Sequence, residues 1–216
     1  MLKEYMEYRC SIYYWLKNLY LSEPTVEILE DISEVCKTYS ELEESPKCER
    51  KFIEFFASLN DVKSLYQDIK IEYARLFLGP KKPIASPYES VYTSCRSQIF
   101  GESATAVKKQ YEEMGLKIQS KAHIPEDFIG YELEFMYYLS YFTVTLYDDK
   151  NFEKINDIIK YQQRFLEEHL KNWIEKFTSN IVENTKMEYF KVLGNFTKEF
   201  IIDDYNSMSE LIYKNN

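Results

Sequence analysis

Residues 60–80, NDVKSLYQDIKIEYARLFLGP, are the stretch that decides the fold. Its apolar side chains recur at steps of three and four: Val62, Leu65, Tyr66, Ile69, Tyr73, Leu76 and Phe77. This spacing is typical of one face of an amphipathic α-helix, whereas a half-buried strand would alternate. Asn60 is expected to cap the start of this helix, and Gly79 followed by Pro80 to end it.

The same periodicity extends over most of the chain. It predicts further helices over residues 3–21, 26–39, 52–59, 103–115, 125–147, 151–179 and 187–213. Residues 142–147, FTVTLY, have the composition of a strand, but the sequence offers them no partner strand. We therefore predict an all-α protein, a single helical domain of about nine to eleven helices in two lobes joined by a hinge loop.

Two irregular connectors interrupt the helical pattern. Three of the six prolines fall close together, so residues 79–98 are predicted to form a proline-rich loop with fixed kinks. A glycine then ends the next helix in the left-handed exit position, and residues 116–124 follow as a second connector. We expect an N-terminal helical lobe over residues 1–115, a hinge over 116–124 and a C-terminal helical lobe over 125–216.

Composition excludes several classes of protein. The formal net charge is −9, whereas nucleic-acid binding needs clustered basic side chains. The five glycines fit neither GxGxxG nor GxxxxGK[ST], which excludes Rossmann and P-loop phosphate sites. Glu4 and Glu7 stand where a secretory signal needs a basic start, and the longest uncharged run, 135–147, is shorter than the roughly 20 residues of a membrane span. We expect a cytoplasmic protein.

The sequence shows no pattern of a catalytic or metal site. The cysteines form no CxxC pair and are expected to be reduced, buried thiols: Cys10, Cys36, Cys48 and Cys95. Neither histidine, His123 or His169, lies in a zinc-binding motif, and no GxSxG sequence occurs. Glu132 and Glu134 are two residues apart and point to different faces of a helix, so they make no ready acid and base pair. We predict no enzyme activity, no metal and no cofactor.

Five blocks occur in an order that resembles one known family. They are residues 72–80 (EYARLFLGP), 86–92 (SPYESVY), 111–116 (YEEMGL), 125–136 (PEDFIGYELEFM) and 165–173 (FLEEHLKNW). Together they closely resemble the TorD/DmsD/NarJ family of redox-enzyme maturation chaperones.

The resemblance implies a function. Members of this family are all-helical cytoplasmic proteins that bind the twin-arginine signal peptide, or the equivalent N-terminal segment, of a molybdopterin-containing oxidoreductase. They assist cofactor insertion and delay export until the oxidoreductase has folded. The connector serves as a hinge that permits domain swapping, so we expect a monomer or a domain-swapped dimer.

A twin-arginine signal combines two guanidinium groups with an apolar segment, so its receptor needs carboxylates beside apolar side chains. On the matching blocks we predict these peptide-binding residues: Tyr73, Leu76, Phe77, Pro87, Tyr88, Glu89, Ser90, Tyr92, Glu126, Asp127 and Phe128. Glu89, Glu126 and Asp127 would pair with the arginines. The alternative is plain core packing for the apolar residues and helix capping for the acids. Phe128 stands where the family commonly has a histidine, so that position carries over least well.

A second hypothesis remains open. Guanine-nucleotide binding has been suggested for the resembling family, so the chain could be a helical small-molecule or GTP-binding protein with at most weak hydrolase activity. The absence of a P-loop and of clustered basic residues in the sequence argues against tight phosphate binding. A neighbouring gene for a twin-arginine oxidoreductase would favour the chaperone, although the sequence does not name the client.

Overall fold

The computed structural model describes residues 2–40, 47–79, 82–94, 99, 101–118 and 124–214. Its helices are α1 (Leu2–Tyr20), α2 (Val26–Ser40), α3 (Lys47–Ala57), α4 (Val62–Tyr73), α5 (Ser90–Thr93), α6 (Glu102–Glu113), α7 (Ile129–Asp148), α8 (Phe152–Phe165), α9 (Lys171–Asn184) and α10 (Glu188–Lys214). In these ranges the only β-type pairing is an isolated bridge between Tyr88 and Phe128. The predicted all-α fold is confirmed.

Two helices end in a wider π-helical turn that the sequence pattern did not reveal. Ala74–Leu78 continues α4, and Leu166–Leu170 continues α8 into α9. π-turns insert one extra residue per turn and therefore change which side chains face the core. Both lie within blocks that resemble the chaperone family.

The helix ends follow the predicted chemistry with small shifts. Asp61, not Asn60, caps α4, because its side chain accepts a hydrogen bond from the Ser64 amide at 3.1 Å. Gly79 and Gly115 both have a positive φ, 54° and 72° respectively. Each glycine adopts the left-handed backbone conformation that its helix end requires.

The start of α7 differs from the prediction. We expected the helix to begin at Pro125, but α7 begins at Ile129 and residues 124–128 form a turn before it. The predicted loop over residues 79–98 contains the short helix α5. The two segments meet at Asp127, whose carboxylate accepts the Ser90 amide at the start of α5.

The chain divides into two compact units that are not consecutive in sequence. Unit one contains Met1–Lys17, Tyr88–Trp173 and Ile201–Asn216; unit two contains Asn18–Pro87 and Ile174–Phe200. The predicted lobes, 1–115 and 125–216, do not correspond to these units, because each unit gathers segments from both parts of the chain. A hinge at residues 116–124 stays a prediction, and residues 119–123 lie outside the described ranges.

Aromatic side chains fill the core of unit two. Phe52 stacks on Phe196 with ring centroids 4.2 Å apart, and Tyr20 packs on Phe77 and Phe177 at 5.9 and 5.6 Å. Offset and edge-to-face pairs of this kind contribute beyond their buried area. These contacts join α3 to α10, and the last residue of α1 to the π-turn after α4 and to α9.

Unit one is crossed by a buried polar network around Arg9. The guanidinium of Arg9 donates to both carboxylate oxygens of Asp204, at 2.5 and 2.8 Å, and it also donates to Gln162. Tyr13 donates to the same carboxylate at 2.6 Å, and the Arg9 side chain has no solvent exposure. The negative charge of Asp204 keeps the pKa of Arg9 above its ordinary value despite the opposing effect of burial.

Within the described ranges, none of the helices combines the length and the apolar character that a membrane span requires. Cys36 is a buried free thiol whose pKa is raised to about 12 by burial, and Cys10 is a free, half-buried thiol. Cys95 and the side chain of Cys48 lie outside the described residues.

Truncating the acid of this network is expected to destabilise unit one strongly. Asp204→Ala leaves a buried guanidinium without its counter-charge, which costs about 3–5 kcal/mol. The double variant Arg9→Met/Asp204→Leu removes both charges and should be clearly more stable than Asp204→Ala alone. Urea unfolding followed by circular dichroism measures both, and a loss below about 1 kcal/mol in Asp204→Ala would contradict the role of the network.

Candidate functional site

The predicted peptide-binding residues separate into a buried group and a surface group. The fully or almost fully buried ones are Tyr73, Leu76, Phe77, Pro87, Glu89, Ser90, Asp127 and Phe128. Tyr88, Tyr92 and Glu126 are half-buried and reach the surface. By unit, Tyr73, Leu76, Phe77 and Pro87 belong to unit two, and the rest belong to unit one.

The apolar residues at the end of α4 pack into the core of unit two. Tyr73, Leu76 and Phe77 are 4%, 0% and 3% exposed, and the Tyr73 hydroxyl donates to the Tyr20 carbonyl at 3.0 Å. The sequence left open whether these residues bind a peptide or pack in the core. In the structure they lie in the core. Ile71 and Leu78 face solvent instead.

Arg75 is paired within the protein. Its guanidinium donates to both carboxylate oxygens of Glu72 at 2.7 Å, and it also donates to the Asn184 carbonyl. Glu72 accepts a further hydrogen bond from the Thr185 hydroxyl at 2.7 Å. The resulting cluster joins the end of α4 to the end of α9 within unit two.

Asp127 holds the loop that precedes α5. Its carboxylate accepts the Ser90 amide at 2.7 Å, and its backbone carbonyl accepts the Glu89 amide at 3.0 Å. Next to these bonds, Tyr88 and Phe128 form the isolated bridge and pack their rings 5.7 Å apart. Asp127 therefore caps the first amide of α5, whereas the alternative interpretation had it cap the helix that follows it in sequence.

Three carboxyl groups are buried close together in unit one. Asp127 and Glu132 have no solvent exposure, and Glu89 has 3%. Each group makes a specific contact: Asp127 binds the Ser90 amide, and Glu132 accepts the Trp173 indole N–H at 3.2 Å. One oxygen of Asp127 and one of Glu132 are buried without a protein partner. Such a cluster cannot hold three full negative charges cheaply.

The surroundings of Glu132 favour its protonated form. Burial raises the pKa of Glu132 well above its ordinary value of 4.5, and the nearby carboxylates of Glu89 and Asp127 raise it further. Burial also raises the pKa of Asp127, opposed by its bond to Ser90. We infer that Glu132 is the proton-carrying member.

A buried histidine fixes the third carboxylate. His169 Nδ1 lies 2.9 Å from Glu89 Oε2, and its Nε2 lies 3.0 Å from the amide nitrogen of Gln110. That amide nitrogen also donates to Glu168 at 2.6 Å, which fixes the orientation of the Gln110 amide. The amide nitrogen must then donate to Nε2, so Nδ1 carries the proton and donates to Glu89.

The sequence did not predict His169, Gln110 and Trp173 as partners of the acidic residues. A signal was present, because Phe165, His169 and Trp173 follow one another at steps of four on a helix and all three are buried. The opposite environments of Glu132 and Glu134 were predicted correctly: Glu134 is exposed and pairs with Lys17 at 3.2 Å.

The surface members of the predicted set lie beside the buried cluster. The Tyr92 ring stacks on Trp173 with centroids 5.5 Å apart. Glu126 is 28% exposed at its side chain, pairs with Lys108 at 3.5 Å, and accepts the Tyr111 hydroxyl through its carbonyl. Of the three acids assigned to arginine recognition, only Glu126 reaches solvent.

The arrangement is suited to positioning a loop. No group of three or more potential ligands capable of holding a metal occurs among the residues that the structure describes. The buried carboxyls and the imidazole are bonded to each other and to backbone groups. His123 lies outside the described residues.

Comparisons with known proteins agree on one family. The sequence profile of the nitrate reductase delta subunit family matches residues 38–179. The chaperone protein TorD of Vibrio cholerae strain O395 is 23% identical over 98% of this chain and 96% of its own. TorD of Photobacterium profundum is 27% identical over 90% and 91%, respectively.

A solved structure supports the fold. The crystal structure of a candidate redox enzyme maturation protein from Archaeoglobus fulgidus matches with a TM-score of 0.53 at 17% identity, covering 93% of this chain and 94% of that one. At this identity the match shows a shared fold.

The capping role of Asp127 is tested by two substitutions. Asp127→Ala leaves the buried Ser90 amide without an acceptor, which is expected to cost about 1–3 kcal/mol of unfolding free energy. Asp127→Asn keeps an oxygen acceptor and removes a charge from the cluster, so it should cost less than about 1 kcal/mol. Urea unfolding at pH 7 compares them, and an equal loss in both variants would contradict the capping role.

Proposed function

The chain belongs to the nitrate reductase delta subunit family, the TorD/DmsD/NarJ family of maturation chaperones, and from this premise we propose that it binds the twin-arginine signal peptide of a molybdopterin-containing oxidoreductase. The chaperone holds the oxidoreductase in the cytoplasm until its cofactor is inserted and the protein has folded. It acts without turnover and without a cofactor of its own, as a monomer or a domain-swapped dimer. The family match over residues 38–179 carries this proposal.

Charge supports the choice of partner. The formal net charge of −9 attracts a segment that begins with two arginines, and such attraction acts mainly on the association rate. A neutral or acidic segment would gain nothing from it.

We further propose that the surface residues of the predicted set contact the peptide and that the buried ones position them. Tyr88 and Tyr92 offer ring faces on which a guanidinium or an apolar side chain can pack, and Glu126 offers a carboxylate. Glu89 and Asp127 act from within by holding the backbone and the histidine beneath this loop.

The proposal predicts discrimination between arginine and lysine. Arginine pairs with a carboxylate through two parallel hydrogen bonds and stacks on aromatic rings, whereas lysine is a point charge. Calorimetric titration with a synthetic twin-arginine signal peptide and its twin-lysine version should show at least about tenfold tighter binding of the former. Equal affinity for both, or no binding of either, would contradict signal-peptide recognition.

The same titration separates surface from buried acids. Glu126→Gln is expected to weaken the twin-arginine peptide about three- to tenfold, since it removes an exposed charge-assisted bond. Asp127→Asn, the matched buried control, should change the affinity less than about twofold. A larger loss of affinity in Asp127→Asn than in Glu126→Gln would instead assign arginine binding to Asp127.

A further inference from the structure

A groove in unit two is lined by residues that the predicted site does not include. It has a volume of about 470 Å³ and lies where α3, α4 and the connection between α9 and α10 meet. Its apolar side chains come from each of these segments: Phe55, Leu65, Ile71 and Met187. All of them are described residues of a single unit, so the groove is complete within unit two.

The apolar surface of the groove is open to solvent. Ile71, near the end of α4, is 67% exposed. Phe55, Leu65 and Met187 are half-buried, and beneath them lies the ring of Tyr189, which packs on Phe55. The surface that these side chains form is contiguous, which distinguishes it from a single exposed apolar residue.

The charge of the groove has one sign. Asp68, Glu72 and Glu188 line it, and none of its lining residues is a lysine or an arginine. Glu72 is neutralised by Arg75, as described above. Asp68 and Glu188 are exposed, and neither has an ion-pair or hydrogen-bond partner in the described part of the chain.

We propose that this groove binds a basic, apolar peptide segment of the client protein. A segment whose lysines or arginines flank two or three large apolar side chains would place its cations at Asp68 and Glu188 and its apolar side chains against Ile71, Leu65 and Phe55. Charge complementarity selects this occupant over an acidic segment or a second copy of the chain, whose net charge is also negative.

The groove recognises charge and not the twin-arginine motif. Its two unpaired carboxylates are exposed and stand on different helices, α4 and α10, where each acts on a cation as a separate charge. Lysine and arginine should therefore bind alike. This inference rests on the proposed function only for the statement that the partner is a client protein.

The test uses a fluorescein-labelled synthetic peptide of alternating Lys-Lys and Leu-Leu pairs, which contains no arginine. Fluorescence anisotropy measures its dissociation constant with the full chain and with groove variants. Asp68→Lys/Glu188→Lys should weaken binding at least about tenfold, and Asp68→Asn/Glu188→Gln should give an intermediate value, since the second pair removes the attraction without adding repulsion.

Matched controls separate the groove from the general negative charge. Asp31→Lys/Glu34→Lys introduces the same change of charge on the exposed side of α2, outside the groove, and should change the affinity less than about twofold. For the apolar part, Ile71→Ser should weaken binding about threefold or more, whereas Leu78→Ser, at a residue 62% exposed and outside the groove, should have little effect. Thermal melting shows that each variant is folded.

Three results would contradict the proposal that the groove binds a basic, apolar segment. They are no binding of the Lys-Leu peptide by the parent chain, a groove double variant within twofold of the parent, or an equal loss in the α2 control. If the groove does not bind the Lys-Leu peptide, the proposed preference for twin arginine over twin lysine is not affected. Loss of that preference with retained groove-dependent binding of the Lys-Leu peptide would overturn signal-peptide recognition and support the groove.

Discussion

Burial of three carboxyl groups, Glu89, Asp127 and Glu132, is the constraint on which the candidate site depends. Carboxyl groups in the interior are tolerated only when they are protonated, or when they are ionised and hydrogen-bonded or paired with a positive charge. Each of the three therefore engages a different segment of unit one: Asp127 the backbone at Ser90, Glu89 the imidazole of His169, and Glu132 the indole of Trp173. The cluster thus fixes the loop before α5, the turn before α7 and the start of α9 relative to each other.

We propose different roles in recognition for the buried and the exposed acids. The composition of the matching blocks suggested that carboxylates meet the arginines of a client directly. In the structure Glu89 and Asp127 are buried, and Glu126 is the member of that set exposed to solvent. The proposed recognition therefore uses aromatic rings and one carboxylate in unit one, and an apolar groove with unpaired acids, Asp68 and Glu188, in unit two.

The fold could be predicted from the sequence because apolar periodicity reports helices directly, and even the strand-like segment 142–147 is helical. The capping of α5 by Asp127 could not be predicted from the sequence, because a hydrogen bond between residues 37 positions apart leaves no local pattern. The π-turn at Ala74–Leu78 was missed for a similar reason, since it changes the helical register over five residues only. The family was recognisable because its ordered blocks include the segments that form the cluster, whereas the division into two units depends on contacts between distant segments.

The protonation state of Glu132 tests the central claim most directly. Carbon-13 NMR of the side-chain carboxyl carbons, with the Glu132 signal assigned by its loss in Glu132→Gln, follows this group through a pH titration of the folded protein. The account predicts that the signal keeps the chemical shift of a protonated carboxyl through pH values well above the ordinary pKa of 4.5. A change of the signal to the chemical shift of a carboxylate near that ordinary value would contradict it.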